Sequence, residues 1–251
     1  MRALSLTALP DIDEIRPGDD LAAILASALT KIIAHLQSHD VLVVAQKIVS
    51  KAEDRYVDLD AVQVTPRAVE LGALTGKDPR LVELILGESV EVLRAKADVL
   101  IVRHRLGFVM ANAGVDRSNV VGANRVLLLP QDPDGSAARL RSALAAHVGT
   151  EIGVVISDSC GRAWRRGVTN VALGASGLPA LVDRRGERDR NGRKLQITEV
   201  AFADQLASAA GLVMGEGAEG YPAVLVSGLC WKAASVPAST LIRPLQDDLF
   251  R

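Results

Sequence analysis

Two short runs, Val41-Leu42-Val43-Val44-Ala45 and Ile152-Gly153-Val154-Val155-Ile156, contain no polar side chain and are rich in β-branched residues. Apolar stretches of this length read as buried strands, and they are far shorter than the ~20 residues that a membrane span requires. The elements around them do not alternate in a regular βαβ rhythm, and no period of 20 to 50 residues repeats. A Rossmann or solenoid architecture is therefore disfavoured, and an α+β fold with packed helices is expected.

The helices announce themselves by capping residues and spacing. After the Pro17-Gly18 turn, Asp19 or Asp20 can cap a helix on which Leu21, Ile24, Leu25, Leu29, Ile32 and Ile33 share a face, and Asp40 is expected to close it. Pro66 and Pro79 each open a helix, the first running through Leu74 and the second burying Leu81, Leu84, Ile85 and Leu86. Strands are expected at 90–93, 99–103 and 108–111, the last two joined at Leu106-Gly107. The turn-forming run 131–136 leads into a helix ending near His147, a final helix occupies about 200–213, and a strand follows at 223–227. The segment 183–194 has six basic and three acidic residues with two glycines, and reads as a polar hairpin or loop.

Charge excludes some functions. With 29 basic and 30 acidic side chains there is no global attraction to nucleic acid or to an anionic membrane, so any anion site must be local. The basic residues of 184–194 are interleaved with acids and lack aromatic stacking partners, which argues further against nucleic-acid binding. Cys160 and Cys230 are too few for a disulfide framework or a four-ligand zinc site, and a reducing, cytoplasmic setting fits them. Asp11, Asp13 and Glu14 interrupt the start of the chain too early for a signal peptide.

Three segments carry residues suited to chemistry. Asn112 to Asn119 packs two asparagines, an aspartate, a serine and a glycine into a loop that can offer oxygen ligands, although an ordinary Asx turn explains the same residues. Ser157 to Gly167 sets a carboxylate and hydroxyls beside Arg162, Arg165 and Arg166. Oxygen ligands suit Mg²⁺ or Mn²⁺ and arginine forks suit phosphate or carboxylate, against the plainer reading of a helix N-cap with solvated arginines. Gly215 to Gly220 follows a helix C-terminus, where a cation ligated by Glu216 is favoured and glycines admit a phosphate, a C-cap being the plainer reading. Lys51, just past a buried strand, can reach a phosphate or lie on the surface. No Walker A loop, dinucleotide fingerprint or H-E-x-x-H pair occurs, and the four histidines are scattered.

Taken in order, Leu9-Pro10, VVAQKIVSKAE (43–53), NAGVDRSN (112–119), LLLPQDPDGSA (127–137), ISDSCGRAWRRGVTNVALG (156–174) and MGEGAEGYPA (214–223) resemble the coenzyme F420:γ-glutamyl ligase family over nearly the whole chain. The resemblance implies one family unit over 1–251, a two-lobed α+β fold with mixed and antiparallel sheets, unlike ATP-grasp ligases, and a homodimer. It implies that Asp116 and Asp158 bind one divalent metal and Ser159 and Glu216 a second, as Mg²⁺ or Mn²⁺, with K⁺ as a further candidate. It places Leu9, Pro10, Asp11, Ile12, Gln46, Lys51, Asn119, Met214, Gly215, Gly217, Gly220 and Tyr221 around GTP.

The implied reaction activates the terminal carboxylate of coenzyme F420-0 as an acyl phosphate, which L-glutamate attacks. Asp116, Asp158 and Arg165 would act in catalysis, some of the three arginines engaging the precursor's phosphodiester or carboxylate. Ser159 stands where the family often has threonine, Gln46 where a small hydroxyl residue can occur, and Asp54 where glycine is common. Because the sequence shows no appended flavin-binding domain, the reductase step of some actinobacterial relatives is not expected. Two other readings stand beside this one: an amino-acid ligase for a different phosphorylated carboxylate, and a non-catalytic nucleotide-binding dimer.

Overall fold

The computed structural model describes residues 3–248. Its central sheet has five strands in the order β1 (Ser5–Ala8), β12 (Ala223–Ser227), β2 (Val41–Ala45), β8 (Gly153–Gly161) and β9 (Val168–Ser176). Only β2 and β8 are parallel; the other neighbours pair antiparallel. Strand periodicity sends Leu42 and Val44 to a core shared with helices α1 (Leu21–Ile32) and α5 (Pro133–Val148). Val41 and Val43 face the opposite way, into a core with α6 (Phe202–Met214). Both apolar runs are thus covered on two faces, each fully buried valine or leucine contributing about 1.5–3 kcal/mol relative to exposure.

After α2 (Gln46–Ala52) the chain leaves this layer structure and builds a second lobe. There β3 (Tyr56–Asp58) pairs with β7 (Arg125–Leu127), and β4 (Ser89–Lys96), β5 (Val99–His104) and β6 (Val109–Ala111) form an antiparallel sheet. Helices α3 (Pro66–Thr75) and α4 (Pro79–Gly87) pack on it through Ala68, Leu71, Leu81, Val82 and Ile85, a core separate from the other two. Proline opens both helices, and Thr65 and Asp78 cap them by accepting backbone N–H groups. The fold is α+β with mixed and antiparallel sheets, as read from the sequence.

The differences from the sequence reading have local causes. Helix α1 stops at Ile32, where Ile33 turns extended (φ −144°, ψ 135°), and Asp40 closes a separate turn with Gln37. Helix α5 is capped by Asp132, whose Oδ1 accepts from Gly135 N at 3.0 Å. Strand β8 runs past Ile156 to Gly161, so Asp158 and Ser159 are strand residues and cap no helix. Its pairing with β9 slips between Ile156 and Ser157, leaving Leu173 as a bulge that re-aims the strand end. The segment 183–194, read as a hairpin or loop, is a hairpin as expected: Asp183 ends β10 (Leu181–Asp183), which pairs with β11 (Glu199–Ala201), and Gly186 N–H donates to Leu195 O beyond it. Among the described residues no helix is long and apolar enough to cross a membrane.

Candidate active site

A cleft of about 400 Å³ opens at the carboxyl ends of β2 and β8, the parallel pair. In open sheets this is where strand ends diverge and leave room for a ligand. Six segments of the chain, from both lobes, meet there.

Helix α2 begins where β2 ends, so Gln46, Lys47 and Lys51 come directly to the cleft wall. Gln46 is buried and its Oε1 accepts from Ser50 Oγ at 2.9 Å, one turn along. Lys47 and Lys51 lie four residues apart, on one side of the helix. The Lys51 ammonium is almost fully buried and pairs with Glu14, which also lines the cleft together with Ile12 and Asp13.

The second lobe supplies Asp116 and Asn119. Just before them Asn112, Ala113 and Gly114 all have positive φ (53°, 53° and 67°), a left-handed turn that reverses the chain after β6. Ala113 in this conformation carries strain that a buried site must hold in place. Asp116 is then fixed to β7 by two backbone bonds with Leu127, each 2.9 Å. Its Oδ1 accepts from Ser118 N and Oγ, both at 2.8 Å, while Oδ2 faces Lys47 Nζ at 2.8 Å. The Asx turn and the cleft carboxylate are therefore the same residue.

From β8 come Ser157, Asp158 and Ser159. Burial, reinforced by the nearby charges of Asp116 and Glu216, pushes the Asp158 carboxyl up to about 7, against the opposing pull of Ser159 N–H and Lys47. Ser157 Oγ is buried without a hydrogen-bond partner among the described residues. Opposite Ser159 on β9, Asn170 also faces the cleft and is seated against Gly211 of α6, where a Cβ would lie 2.9 Å from its Cγ.

The last segment follows α6. Met214, Gly215, Glu216, Gly217, Gly220 and Tyr221 all line the cleft. Gly215 has φ 73° and ψ −179°, a region open essentially to glycine alone.

Most of the residues expected from sequence thus converge. Leu9, Pro10, Asp11 and Arg165 do not line this cleft: Leu9 is core and bonds Ala223 O, and Asp11 pairs with Lys31 at 3.0 Å. Arg165, with Arg162 and Arg166, stands exposed on the β8–β9 hairpin, its side chain without a partner among the described residues. Sequence reading missed Lys47, Asp13, Glu14 and Asn170, and took Ser157 only as the first residue of a candidate segment. For Lys47 a signal existed in its helical spacing from Lys51; for Asn170 only the strand pairing reveals it.

Five carboxylates (Asp13, Glu14, Asp116, Asp158, Glu216) face two ammonium groups (Lys47, Lys51) in the cleft. The donor set is all oxygen, which suits a hard divalent cation, and the unpartnered Ser157 hydroxyl offers one more oxygen. The carboxylates are nevertheless spread out: among the described residues no three His, Cys, Asp or Glu side chains gather tightly enough to hold an ion as they stand.

The cleft straddles two lobes and brings cationic and anionic side chains together. Residues 11–228 match the family model described as F420-0:Gamma-glutamyl ligase, and the chain belongs to that family of ligases. It is 46% identical over 99% of its length, and 98% of the relative's, to the coenzyme F420:L-glutamate ligase of Methanopyrus kandleri. The proteins of that name from Methanothermobacter thermautotrophicus and Natronomonas pharaonis are each 44% identical, covering 99% and 100% of the chain and 99% and 95% of theirs.

Proposed function

We propose that this chain forms an amide between the terminal carboxylate of F420-0 and the amine of L-glutamate, driven by GTP and divalent metal, in a cytoplasmic setting. The observation that carries the reading is the cleft's charge balance, five carboxylates against two lysines, beside family membership. A polyphosphate is repelled by such a site unless cations enter with it, and oxygen-ligated cations bridging phosphates are the usual means of phosphoryl transfer.

In this account Asp116 and Asp158 hold one metal and Ser159 and Glu216 the second, with K⁺ as an additional ion. Bound there, the metals would neutralise the phosphate oxygens and polarise the transferred phosphorus. Lys47 and Lys51 place positive charge along the triphosphate, and Gln46, Asn119 and the 214–221 loop hold the nucleotide. A carboxylate oxygen of F420-0 attacks the terminal phosphorus and GDP leaves. The glutamate amine then attacks the acyl carbon, losing a proton as inorganic phosphate departs. The exposed arginines 162, 165 and 166 suit the negative groups of F420-0 at the cleft's approach.

Trp164, Ile197 and Leu212 are each close to 90% exposed (89%, 88% and 88%), which supports a homodimer that covers some of this surface. Calorimetry tests the nucleotide reading: GTP should bind with Mn²⁺ present and at least ten-fold more weakly in EDTA, and the difference should vanish in Asp158→Asn. Equal GTP binding with and without metal contradicts it.

A further inference from the structure

Glu219 does not point away from its loop, as an exposed glutamate in a glycine-rich turn is free to do. Its Oε2 accepts from Gly217 N at 2.7 Å. A Cβ placed on Gly215 would lie 2.2 Å from its carboxylate carbon and 2.5 and 2.6 Å from the two oxygens, so the carboxylate rests directly on the bare glycine backbone. Its own N–H, then those of Gly217 and Glu216, hold this carboxyl below the ordinary range. The N–H groups of Glu216, Gly217 and Glu219 thus turn toward one anion, a nest-like arrangement anchored by the Gly217 bond; a nest selects by charge and oxygen geometry and not by the rest of the ligand.

We propose that the Gly215–Gly220 loop is a phosphate seat held by the chain's own Glu219 carboxylate, and that an incoming phosphate group takes the seat by displacing it. Gly215 and Gly217, which define the seat, both line the cleft. Glu216 of the same loop also lines it, so a phosphate in the nest would sit beside a carboxylate able to hold its counter-cation. The exchange is carboxylate for phosphate oxygen at the same N–H donors, with no new fold required. Only the identity of the phosphate compound rests on the function proposed above; the nest itself does not.

The competing account makes Glu219 a brace that shapes the loop, and the two predict opposite signs. Wild type, Glu219→Gln, Glu219→Ala and Asp13→Asn are titrated with inorganic pyrophosphate in EDTA by calorimetry, and separately with GTP and Mn²⁺. Asp13→Asn removes the same charge from the cleft without touching the loop. If Glu219 occupies the seat, both Glu219 variants bind pyrophosphate about five-fold more tightly than wild type, and Asp13→Asn changes binding much less. Weaker or unchanged pyrophosphate binding in the Glu219 variants overturns the inference, as does equal tightening in Asp13→Asn. Tighter pyrophosphate binding without GTP binding in any protein keeps the seat and removes the nucleotide reading instead.

Discussion

Lys47 Nζ lies 2.8 Å from Asp116 Oδ2 and 2.5 Å from Ser118 Oγ, joining the helix that leaves β2 to the loop that the second lobe brings over the cleft. A lysine here does what a bound cation would do: it neutralises Asp116 and ties the lobes. In the proposed account it yields part of that carboxylate to the entering metal. Lys47→Met is expected to tighten Mn²⁺ binding by roughly three- to ten-fold without nucleotide, because a competing ion pair is lost. Turnover should fall by about 100-fold or more, because positive charge aimed at developing negative charge is removed. Manganese titration and steady-state rates on one preparation check both.

The Asp158 carboxyl, pushed up to about 7 mainly by burial, gives a pH dependence of definite sign. If Asp158 ligates metal as proposed, binding requires its ionised form, so Mn²⁺ affinity should level off above pH 7 and fall by up to ten-fold per unit below it. For stability the sign is the reverse of the usual salt-bridged carboxylate. A folded pKa above the unfolded 3.8 means that ionisation opposes folding; the penalty is absent below 3.8 and complete above about 7. Asp158→Asn should raise the Tm of the metal-free protein at pH 8, with the gain shrinking toward pH 4, while abolishing turnover.

Gly211 is a packing requirement with a functional consequence. A methyl group there would meet Asn170 at 2.9 to 3.1 Å, tighter than ordinary contact. Gly211→Ala is expected to cost about 1–3 kcal/mol in urea unfolding through overpacking. Because Asn170 lines the cleft, substrate KM should also rise, whereas an enlarged residue at a site remote from the cleft would leave KM unchanged.

Arg165 has no side-chain partner among the described residues, so its removal should leave stability within about 0.5 kcal/mol. If it engages a negative group of F420-0, Arg165→Ala raises the KM for F420-0 by about ten-fold and leaves Mn²⁺ affinity untouched. A change in metal affinity instead would put the residue inside the metal site.

Local chemistry made much of the fold legible. Strand β2 is legible because its run is wholly apolar and β12 because it is apolar up to its closing Ser227, and α3 and α4 because proline and a capping side chain mark their starts. Strand β9 was not visible: Val168–Ser176 mixes Asn170, Gly174 and small residues, and its place is set by long-range contact. At Gly174 a Cβ would fall 2.2 Å from Pro133 O, so the glycine serves the close approach of α5 and not the strand.

The same division runs through the site. Asp116, Asp158 and Glu216 stand out as acidic residues in small-residue segments, whereas Asn170 matters only through the β8–β9 pairing. Asp54 has φ 51°, the left-handed region where glycine is the easy choice and aspartate among the better-tolerated substitutes. That conformation explains why this departure from the family's usual glycine is compatible with the turn after α2. Leu9 shows the opposite case: its side chain lies in the core, which its place in the sequence beside the site does not reveal.

The most direct test mixes purified protein with F420-0, L-glutamate, GTP and Mn²⁺ and follows the mass of the deazaflavin and GDP release together, with Asp158→Asn as control. The account predicts one glutamate-sized mass increase per GDP formed, absent in the control. Unchanged deazaflavin mass while GTP demonstrably binds, or equal product from Asp158→Asn, would contradict it.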